Sequence, residues 1–215
     1  MIKRAFILAV GAALAAPLLA ANTSEDGLVA RKSRNLDTVR TAASWPSAYR
    51  SVHIPPIEVE FEKIRDANAI QRPSARPSTA DVKRASQEMA QTLRASMQSS
   101  LQKAGYQVVP SPGAGVLVLK TSIEDVRVNA SADAYGGAGA KSFVKEAGEA
   151  RLHIEGFDGV SNAKVLVIDD RARPRNTMPG VDRANPVTNR FWFQDAFDHW
   201  ADSVARELPA AAKAG

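Results

Sequence analysis

The sequence contains no cysteine, and this absence limits its chemistry more than any other feature. Without thiols the chain has no disulfide, no thiolate nucleophile and no cysteine-ligated metal centre. It also offers no thiol for lipid attachment. Aromatic residues are scarce, at 6% of the chain, but 45% hydrophobic and 24% charged residues are ordinary for a globular protein. Collagen-like and wholly disordered chains are therefore excluded, and 215 residues suggest one domain.

A long hydrophobic run occurs only within the first 21 residues. Lys3 and Arg4 precede an apolar run from Ala5 to Leu19, and two alanines follow it. This order is typical of a secretory signal peptide, and the run is shorter than the roughly 20 residues that a membrane-spanning helix needs. We predict export to the periplasm with cleavage near Ala21. The alternative is an uncleaved helix that anchors the protein in a membrane.

Positive charge exceeds negative charge only mildly. The formal net charge is +5, and it falls to +3 if Lys3 and Arg4 leave with the signal peptide. A nucleic-acid interface needs basic residues clustered on one face, which a mild net charge does not supply. We expect no nucleic-acid partner and no retained membrane span after cleavage. The expected partner is a protein of the envelope or outer membrane, and the sequence does not indicate an oligomeric state.

Periodic patterns after residue 50 predict an α+β domain. Residues 22–50 lack sustained periodicity, which favours a flexible amino-terminal arm, and a single domain follows over 51–209 with a tail at 210–215. Strand patterns occur at 51–61, 106–109, 116–128, 151–157 and 164–168, and amphipathic helices at 79–104 and 189–208. Because each helix has one apolar stripe, we predict that both pack on one face of a four- or five-stranded, largely antiparallel sheet.

Three local features refine this prediction. Ser78 stands where the N-cap of the first helix is expected. Pro55-Pro56 cannot donate ladder hydrogen bonds, so the first strand should be kinked or lie at an edge. The alternation of the long strand changes phase, which predicts a β-bulge at Glu124-Asp125.

Residues 129–148 are small and rich in glycine, and they exceed the usual length of a connection between strands. Tyr135 and Phe143 lie in this loop and are the predicted partner-binding residues. The alternative is an idle insertion. The run that begins at Tyr135 resembles a phosphate-binding loop, but Ala140 separates its last glycine from Lys141. We therefore expect no nucleotide and no other cofactor.

Few titratable residues are arranged for catalysis. The three histidines, His53, His153 and His199, fall in different elements, and the sequence has no HExxH motif, so we predict no metal site. Asp158 and Asp169 fall at strand ends, where carboxylates could serve as acid and base. Surface ion pairs are the simpler interpretation. We predict no catalytic residue, and we keep His153, Asp158 and Asp169 as the site of an alternative hydrolase.

Several segments together resemble a known family. They are the strand from Ser51 to Phe61, the helix end Leu101-Gln102-Lys103-Ala104-Gly105-Tyr106, the strand Gly115-Val116-Leu117-Val118-Leu119, the stretch from Gly148 to Arg171, and Phe197-Asp198-His199-Trp200-Ala201. Over about residues 45–209 this combination is similar to the bacterial envelope lipoproteins called domain of unknown function 3313. The resemblance implies two helices on one face of a sheet, as in small envelope assembly factors. It implies no activity and no catalytic residue.

The chain departs from that family at two points. Asn22 occupies the place of the lipid-bearing cysteine, so the resemblance does not imply lipid anchoring. Family members also tend to have an Asp followed by a Thr-Gly hairpin, where this chain has the run from Asp158 to Ala163. We interpret the chain as an exported, non-enzymatic envelope protein, a periplasmic binding or assembly accessory. The alternative is a periplasmic hydrolase that uses Asp and His side chains at the sheet edge.

Overall fold

The computed structural model describes residues 27–43, 49–62, 78–128, 148–172 and 186–209, without the side chains of 128 and 186–192. The strands are β1 (Leu28–Arg31), β2 (Thr38–Ala42), β3 (Ser51–His53), β4 (Glu58–Phe61), β5 (Gln107–Val108), β6 (Val116–Val128), β7 (Gly148–Asp158) and β8 (Lys164–Ala172), and the helices are α1 (Thr79–Lys103) and α2 (Pro186–Glu207). All eight strands belong to one sheet. Its order is β1-β2-β8-β7-β6-β3-β5, and β4 also pairs with β6.

The sheet is larger than predicted, and it is mixed. β6, β7 and β8 are antiparallel neighbours, but β3 and β4 both run parallel to β6. The prediction of four or five largely antiparallel strands is therefore wrong, whereas the α+β class and the two helices are confirmed. The difference arises partly because Pro55 and Pro56 divide the predicted strand 51–61 into β3 and β4, which pair with successive parts of β6.

The segment 22–50, interpreted above as a flexible arm, contributes β1 and β2. These strands form an antiparallel pair, and β2 continues the sheet at the edge of β8. Val39 lies opposite Ile168 and is only 1% exposed, and Leu36 between the two strands is also buried. The arm interpretation is wrong for residues 28–42, because strands of four and five residues are too short for their alternation to stand out.

The long helix α1 begins and ends as its sequence indicates. The Ser78 side chain accepts a hydrogen bond from the backbone N–H of Asp81 at 3.1 Å, which confirms the predicted N-cap. The helix ends before Gly105, whose φ of +92° few other residues adopt. Midway along α1, the Arg94 guanidinium donates to the carbonyls of Ile54 and Pro55, where the chain bends between β3 and β4.

Both helices lie on one face of the sheet, which we call the inner face. Thr121 of β6 donates its hydroxyl to the Met97 sulfur of α1 at 4.0 Å, and Trp200 Nε1 of α2 donates to Asp170 of β8 at 2.7 Å. The β7 partners of Thr121 and Asp170 are two residues apart, so both contacts fall on the same face. The opposite side is called the outer face.

The hydrophobic core fills the space between the inner face and the helices. Trp200 and Phe197 of α2 are each 1% exposed, and their rings stack with centroids 5.7 Å apart. Leu93, Met97 and Leu101 of α1 are buried against the same cluster. Aromatic and aliphatic burial of this kind is the main source of stability in such a layer.

The predicted bulge in β6 is confirmed. The pairing register with β7 shifts between Glu124 and Arg127, and Asp125 has a positive φ of 51°. Because β6 contains one extra residue at the bulge, the residues that follow it again alternate between the two faces in step with β7. Arg127 thereby returns to the outer face, where it lies opposite Glu149 of β7.

Candidate functional site on the outer face

Strand β7 divides its side chains strictly between the two faces. Leu152 and Ile154 are fully buried on the inner face, whereas His153 and Glu155 are half-buried on the outer face. Residues opposite one another on neighbouring strands share a face. The register therefore defines two outer rows: one is Ser122, His153, Asp169 and Thr38, and the other is Lys120, Glu155, Val167 and Arg40.

The first row contains a histidine and a carboxylate in direct contact. His153 Nδ1 lies 2.7 Å from Asp169 Oδ1, and the two side chains are 32% and 35% exposed. Ser122 is the strand partner of His153 on the other side, but its hydroxyl donates to Glu124 Oε1 at 2.8 Å. A carboxylate that orients an imidazole can support proton transfer. The serine hydroxyl is not directed at the imidazole, as a nucleophile would be.

Ion pairs extend from this row along the outer face. Lys164 Nζ lies 2.5 Å from Glu155 Oε1, and Arg171 Nε lies 3.0 Å from Glu149 Oε1. Partly exposed pairs of this kind contribute about 0 to 1 kcal/mol each to stability. Their effect is to hold long side chains in defined positions on a rigid strand scaffold.

An aromatic ring lies among the lysines of the outer face. Lys120 Nζ is 4.4 Å from the centroid of the Phe157 ring, and Lys164 Nζ is 5.8 Å from it. Cations prefer the electron-rich face of an aromatic ring. The lysine stems also shield Phe157, which is largely buried although it faces away from the helices.

Asp158 lies apart from the His153–Asp169 pair, at the end of β7. One carboxylate oxygen accepts from Ser161 N at 2.8 Å and from Val160 N at 3.1 Å, and the other accepts from the Tyr49 hydroxyl at 3.1 Å. The hydrogen bond from the Ser161 N–H is the largest cause that lowers the pKa of Asp158 to about 2. Burial, followed by the contact with Asp158, raises the pKa of Tyr49. These contacts assign Asp158 to the turn between β7 and β8.

Asp170 points to the inner face, and its pKa is shifted in the opposite direction from that of Asp158. Its carboxylate accepts from Trp200 Nε1 at 2.7 Å and from the backbone N–H of Asp37 at 2.9 Å. Burial is the main cause that raises the pKa of Asp170 above its usual value. The group therefore joins β8, α2 and the β1–β2 loop, and it does not belong to the outer face.

The remaining sequence candidates are dispersed. His53 Nδ1 contacts the carbonyl of Val109 at 3.0 Å, and His199 is exposed on α2. Tyr135 and Phe143 fall outside the described residues, so their predicted role stays a prediction. Within the described ranges, no group of three or more metal-ligating side chains comes together, and neither helix has the length and apolar content needed to cross a membrane.

Sequence reasoning did not find Ser122, Lys120 or the pairing of His153 with Asp169. The alternation of β7 placed His153 and Glu155 on one face, and this was the available signal. Which residues of β6 and β8 lie opposite them depends on the register between strands. That register is set by turns and by the bulge, and no single segment contains it.

The fold and the outer face define an α+β protein with helices on one side of a mixed sheet and an ion-paired polar surface on the other. The family model described as "Protein of unknown function (DUF3313)" matches residues 23–204. The chain belongs to this family, and the resemblance inferred from the sequence is thereby confirmed. No curated protein matches the sequence.

Three solved structures are distantly similar. The PelC dodecamer from Paraburkholderia phytofirmans has a TM-score of 0.41 at 12% identity, with 77% of this chain and 97% of that chain covered. A neuraminyllactose-binding hemagglutinin homolog from Helicobacter pylori has a TM-score of 0.37 at 14% identity, with 77% and 86% covered. A DUF330 protein from Xanthomonas campestris has a TM-score of 0.39 at 13% identity, with 76% and 86% covered. None of these TM-scores reaches 0.5, so none of the likenesses bears on function.

Proposed function

We propose that the protein is exported to the periplasm and serves there as a non-enzymatic binding or assembly accessory of the cell envelope. The observation that supports this function is the arrangement of the outer face. Charged side chains of β7 and β8 are paired with one another across this face, while both helices occupy the inner face. Polar groups held in place on strands give a partner a preorganised surface, which reduces the entropy cost of binding.

The contacts of the candidate catalytic residues also favour binding over catalysis. Asp158 is occupied by the turn that follows β7, and the Ser122 hydroxyl donates to Glu124. Asp169 and His153 pair with each other on a partly exposed strand surface. Covalent catalysis by a triad joins a nucleophile, a base and an orienting group, and among the residues that the structure describes only the last two roles are joined at His153 and Asp169.

Export is tested by the intact mass of protein recovered from the periplasm. The charged, apolar and small-residue order of residues 1–21 supports cleavage near Ala21. We expect a species that begins near Asn22 and carries no acyl group. A species that begins at Met1, or that carries the mass of a lipid, would contradict this part of the proposal.

Binding through the outer face is tested by photo-crosslinking in intact cells. A photoreactive phenylalanine replaces Lys120, which is exposed on the outer face, and the matched control replaces Gln91, which is exposed on α1. We expect an adduct of one defined mass from position 120 that position 91 does not give. The charge reversal Glu155→Lys should reduce its yield. Adducts at neither position, or equally at both, would contradict a partner on the outer face.

The alternative function is a hydrolase, and the 2.7 Å contact between His153 and Asp169 is the observation that favours it. The double variant His153→Gln, Asp169→Asn removes the acid–base pair while it preserves side-chain volume. Loss of turnover at unchanged thermal stability, with the crosslinked adduct from position 120 retained, would favour the hydrolase. An unchanged phenotype at unchanged stability would favour the accessory. Asp158 is left intact because its loss would disturb the β7–β8 turn.

A further inference from the structure

We propose that the outer edge of β4 binds an extended segment of another protein, which adds a strand to the sheet and alternates apolar with basic side chains. This inference goes beyond the proposed function, and it depends neither on export nor on a partner of the outer face. It starts from the sheet order, in which β4 pairs only with β6 among the strands that the structure describes. One edge of β4 therefore has no strand beside it within the described residues.

The backbone groups at this edge follow from the ladder on the other side of β4. The backbone N–H of Glu62 donates to the carbonyl of Val126 at 3.0 Å, so it points towards β6. Successive residues of a strand direct their backbone groups to alternate sides. Val59 and Phe61 therefore direct their N–H and C=O groups away from β6, and no backbone group of the described residues bonds to them. Unpaired donors and acceptors of this kind are what an added strand binds.

Helix α1 runs alongside this edge. Its carboxyl end leads into β5, which pairs with the start of β3, whereas its Arg94 guanidinium donates to the carbonyls of Ile54 and Pro55 after β3. The helix axis is therefore antiparallel to β3 and β4. The first half of α1 continues past Pro55 along β4, with which the helix is in contact.

This half of α1 has an apolar stripe that is only half-buried. Val82, Ala85 and Met89 continue the stripe of the helix, but every buried residue of α1 lies between positions 93 and 101. Val59 and Phe61 of β4 are also only partly buried at the margin of the core. The apolar side chains of an added strand would cover both surfaces, which is a favourable contribution to binding.

Charge determines the other side of the added strand. Glu58 lies opposite Ser122 on the outer face, and Glu60 shares that face because side chains alternate along β4. Both glutamates are exposed, and neither forms an ion pair within the described residues. Opposite charges on neighbouring strands stabilise a pair, whereas like charges destabilise it. The edge therefore favours a strand with basic side chains on this face, and it disfavours a second copy that would pair β4 with β4.

The probe for this edge is a labelled synthetic peptide in which lysine and valine alternate over about six residues, the usual length of a strand. The control peptide has the same composition, but all its lysines precede its valines, so it cannot present them on opposite faces of a strand. Fluorescence anisotropy measures the binding of both peptides to the full chain. We expect the alternating peptide to bind about tenfold or more tightly than the control. Equal affinities would overturn the proposal.

Two variants test the backbone and the charge of the edge separately. Val59→Pro removes an N–H that points away from β6, a position where an edge strand tolerates proline, and Val59→Thr is the matched control that keeps the N–H. We expect Val59→Pro to weaken binding of the alternating peptide about tenfold and Val59→Thr to change it less than about twofold. Glu60→Lys should weaken it about threefold, whereas Asp195→Lys, at an exposed residue of α2, should leave it unchanged. Unchanged binding by Val59→Pro would overturn the proposal.

A second measurement uses the unchanged protein, in case circular dichroism shows that Val59→Pro does not fold. When the alternating peptide is added, the NMR amide signals of Val59 and Phe61 should shift more than those of Glu60 and Glu62, whose N–H groups point towards β6. Shifts without this alternation would contradict strand addition.

Sedimentation of the unchanged protein tests the competing occupant, a second copy of the chain. We expect no dimer that forms through β4, because the glutamates of two β4 strands would face one another. A dimer that Glu60→Lys or Val59→Pro dissociates would assign this edge to a second copy and overturn the proposal.

Discussion

The inner and outer faces of β6, β7 and β8 belong to the same strands but are stabilised in different ways. On the inner face, alternate residues pack against Trp200, Phe197 and the apolar side of α1. On the outer face, their neighbours in sequence form hydrogen bonds and ion pairs with one another, as His153 does with Asp169. The comparison indicates that most of the stability resides on the inner face, so substitutions on the outer face should cost less stability than substitutions on the inner face.

The largest effect should come from the centre of the inner face. Replacing Trp200 with Ala removes a side chain that is 1% exposed, its stacking with Phe197 and its hydrogen bond to Asp170. We expect a loss of about 3 to 5 kcal/mol in the free energy of unfolding, measured by urea denaturation. Val160→Ala, at a side chain that is 72% exposed, serves as the control and should change stability by less than about 0.5 kcal/mol. A loss below about 1 kcal/mol at Trp200 would contradict the packing described here.

A smaller effect should follow when the inner face is overfilled. A Cβ added at Gly156 would lie 2.7 Å from the Cβ of Leu166 on β8, so the strands would have to shift. Gly156→Ala should therefore destabilise the protein by about 1 to 3 kcal/mol. Gly113→Ala is the matched control, since a Cβ there meets nothing within 4 Å. Equal melting temperatures for the two variants would show that β7 and β8 are less closely packed than the structure indicates.

The third prediction concerns the pH dependence of two carboxylates. The pKa of Asp158 is lowered to about 2 in the folded protein, against about 3.9 in the unfolded chain. Its contribution to stability is therefore fully present above about pH 3.9 and is lost as the pH falls towards 2. Asp158→Asn should cost about 1 kcal/mol at pH 7, after discounting for solvent exposure, and almost nothing near pH 2. Asp170 has a raised pKa, so its ionisation opposes folding as the pH rises above about 3.9.

The stabilities of the two aspartate variants, each measured relative to the unchanged protein, should therefore change with pH in opposite directions. Relative to the unchanged protein, the free energy of unfolding of Asp170→Asn should increase between pH 3 and pH 7, whereas that of Asp158→Asn should decrease over the same range. Urea unfolding at a series of pH values measures both. Parallel pH profiles for the two variants would show that burial does not dominate at Asp170.

The smallest effect should come from the outer face. His153→Ala breaks a pair whose two side chains are about one-third exposed, and it removes no buried apolar surface. We expect a change of about 0 to 1 kcal/mol in the free energy of unfolding, reduced further by added salt. A loss of more than about 2 kcal/mol would remove the distinction between the two faces.

The sequence predicted those elements that carry a long periodic signal. Helix α1 repeats its apolar stripe over 25 residues and has a capping Ser78, so its bounds were recognisable. Strand β6 extends over 13 residues, long enough for a change of phase to indicate the bulge at Asp125. In each case the information lies within one continuous segment.

The elements that were missed depend on distant parts of the chain. β1 and β2 are short, and Val39 is paired with Ile168 of β8, more than a hundred residues later. The parallel pairing of β3 and β4 with β6 also has no local signal, since parallel strands are joined by long crossovers. The same holds for the candidate site. His153 was a candidate because histidine often serves as an acid or base, whereas its contact with Asp169 depends on the register between β7 and β8, which no single segment contains.

The unequal sequence distances between paired strands also affect the order of folding. β7 and β8 are joined by a tight turn, so their ladder closes a small loop at low entropy cost. The pairing of β3 and β4 with β6 must wait until a chain of more than sixty residues has been brought together. Such non-local pairing slows folding, because entropy is lost before the contacts that compensate for it have formed. The β7–β8 hairpin is therefore expected to become ordered first, and the parallel strands should be added to β6 in a later and slower step.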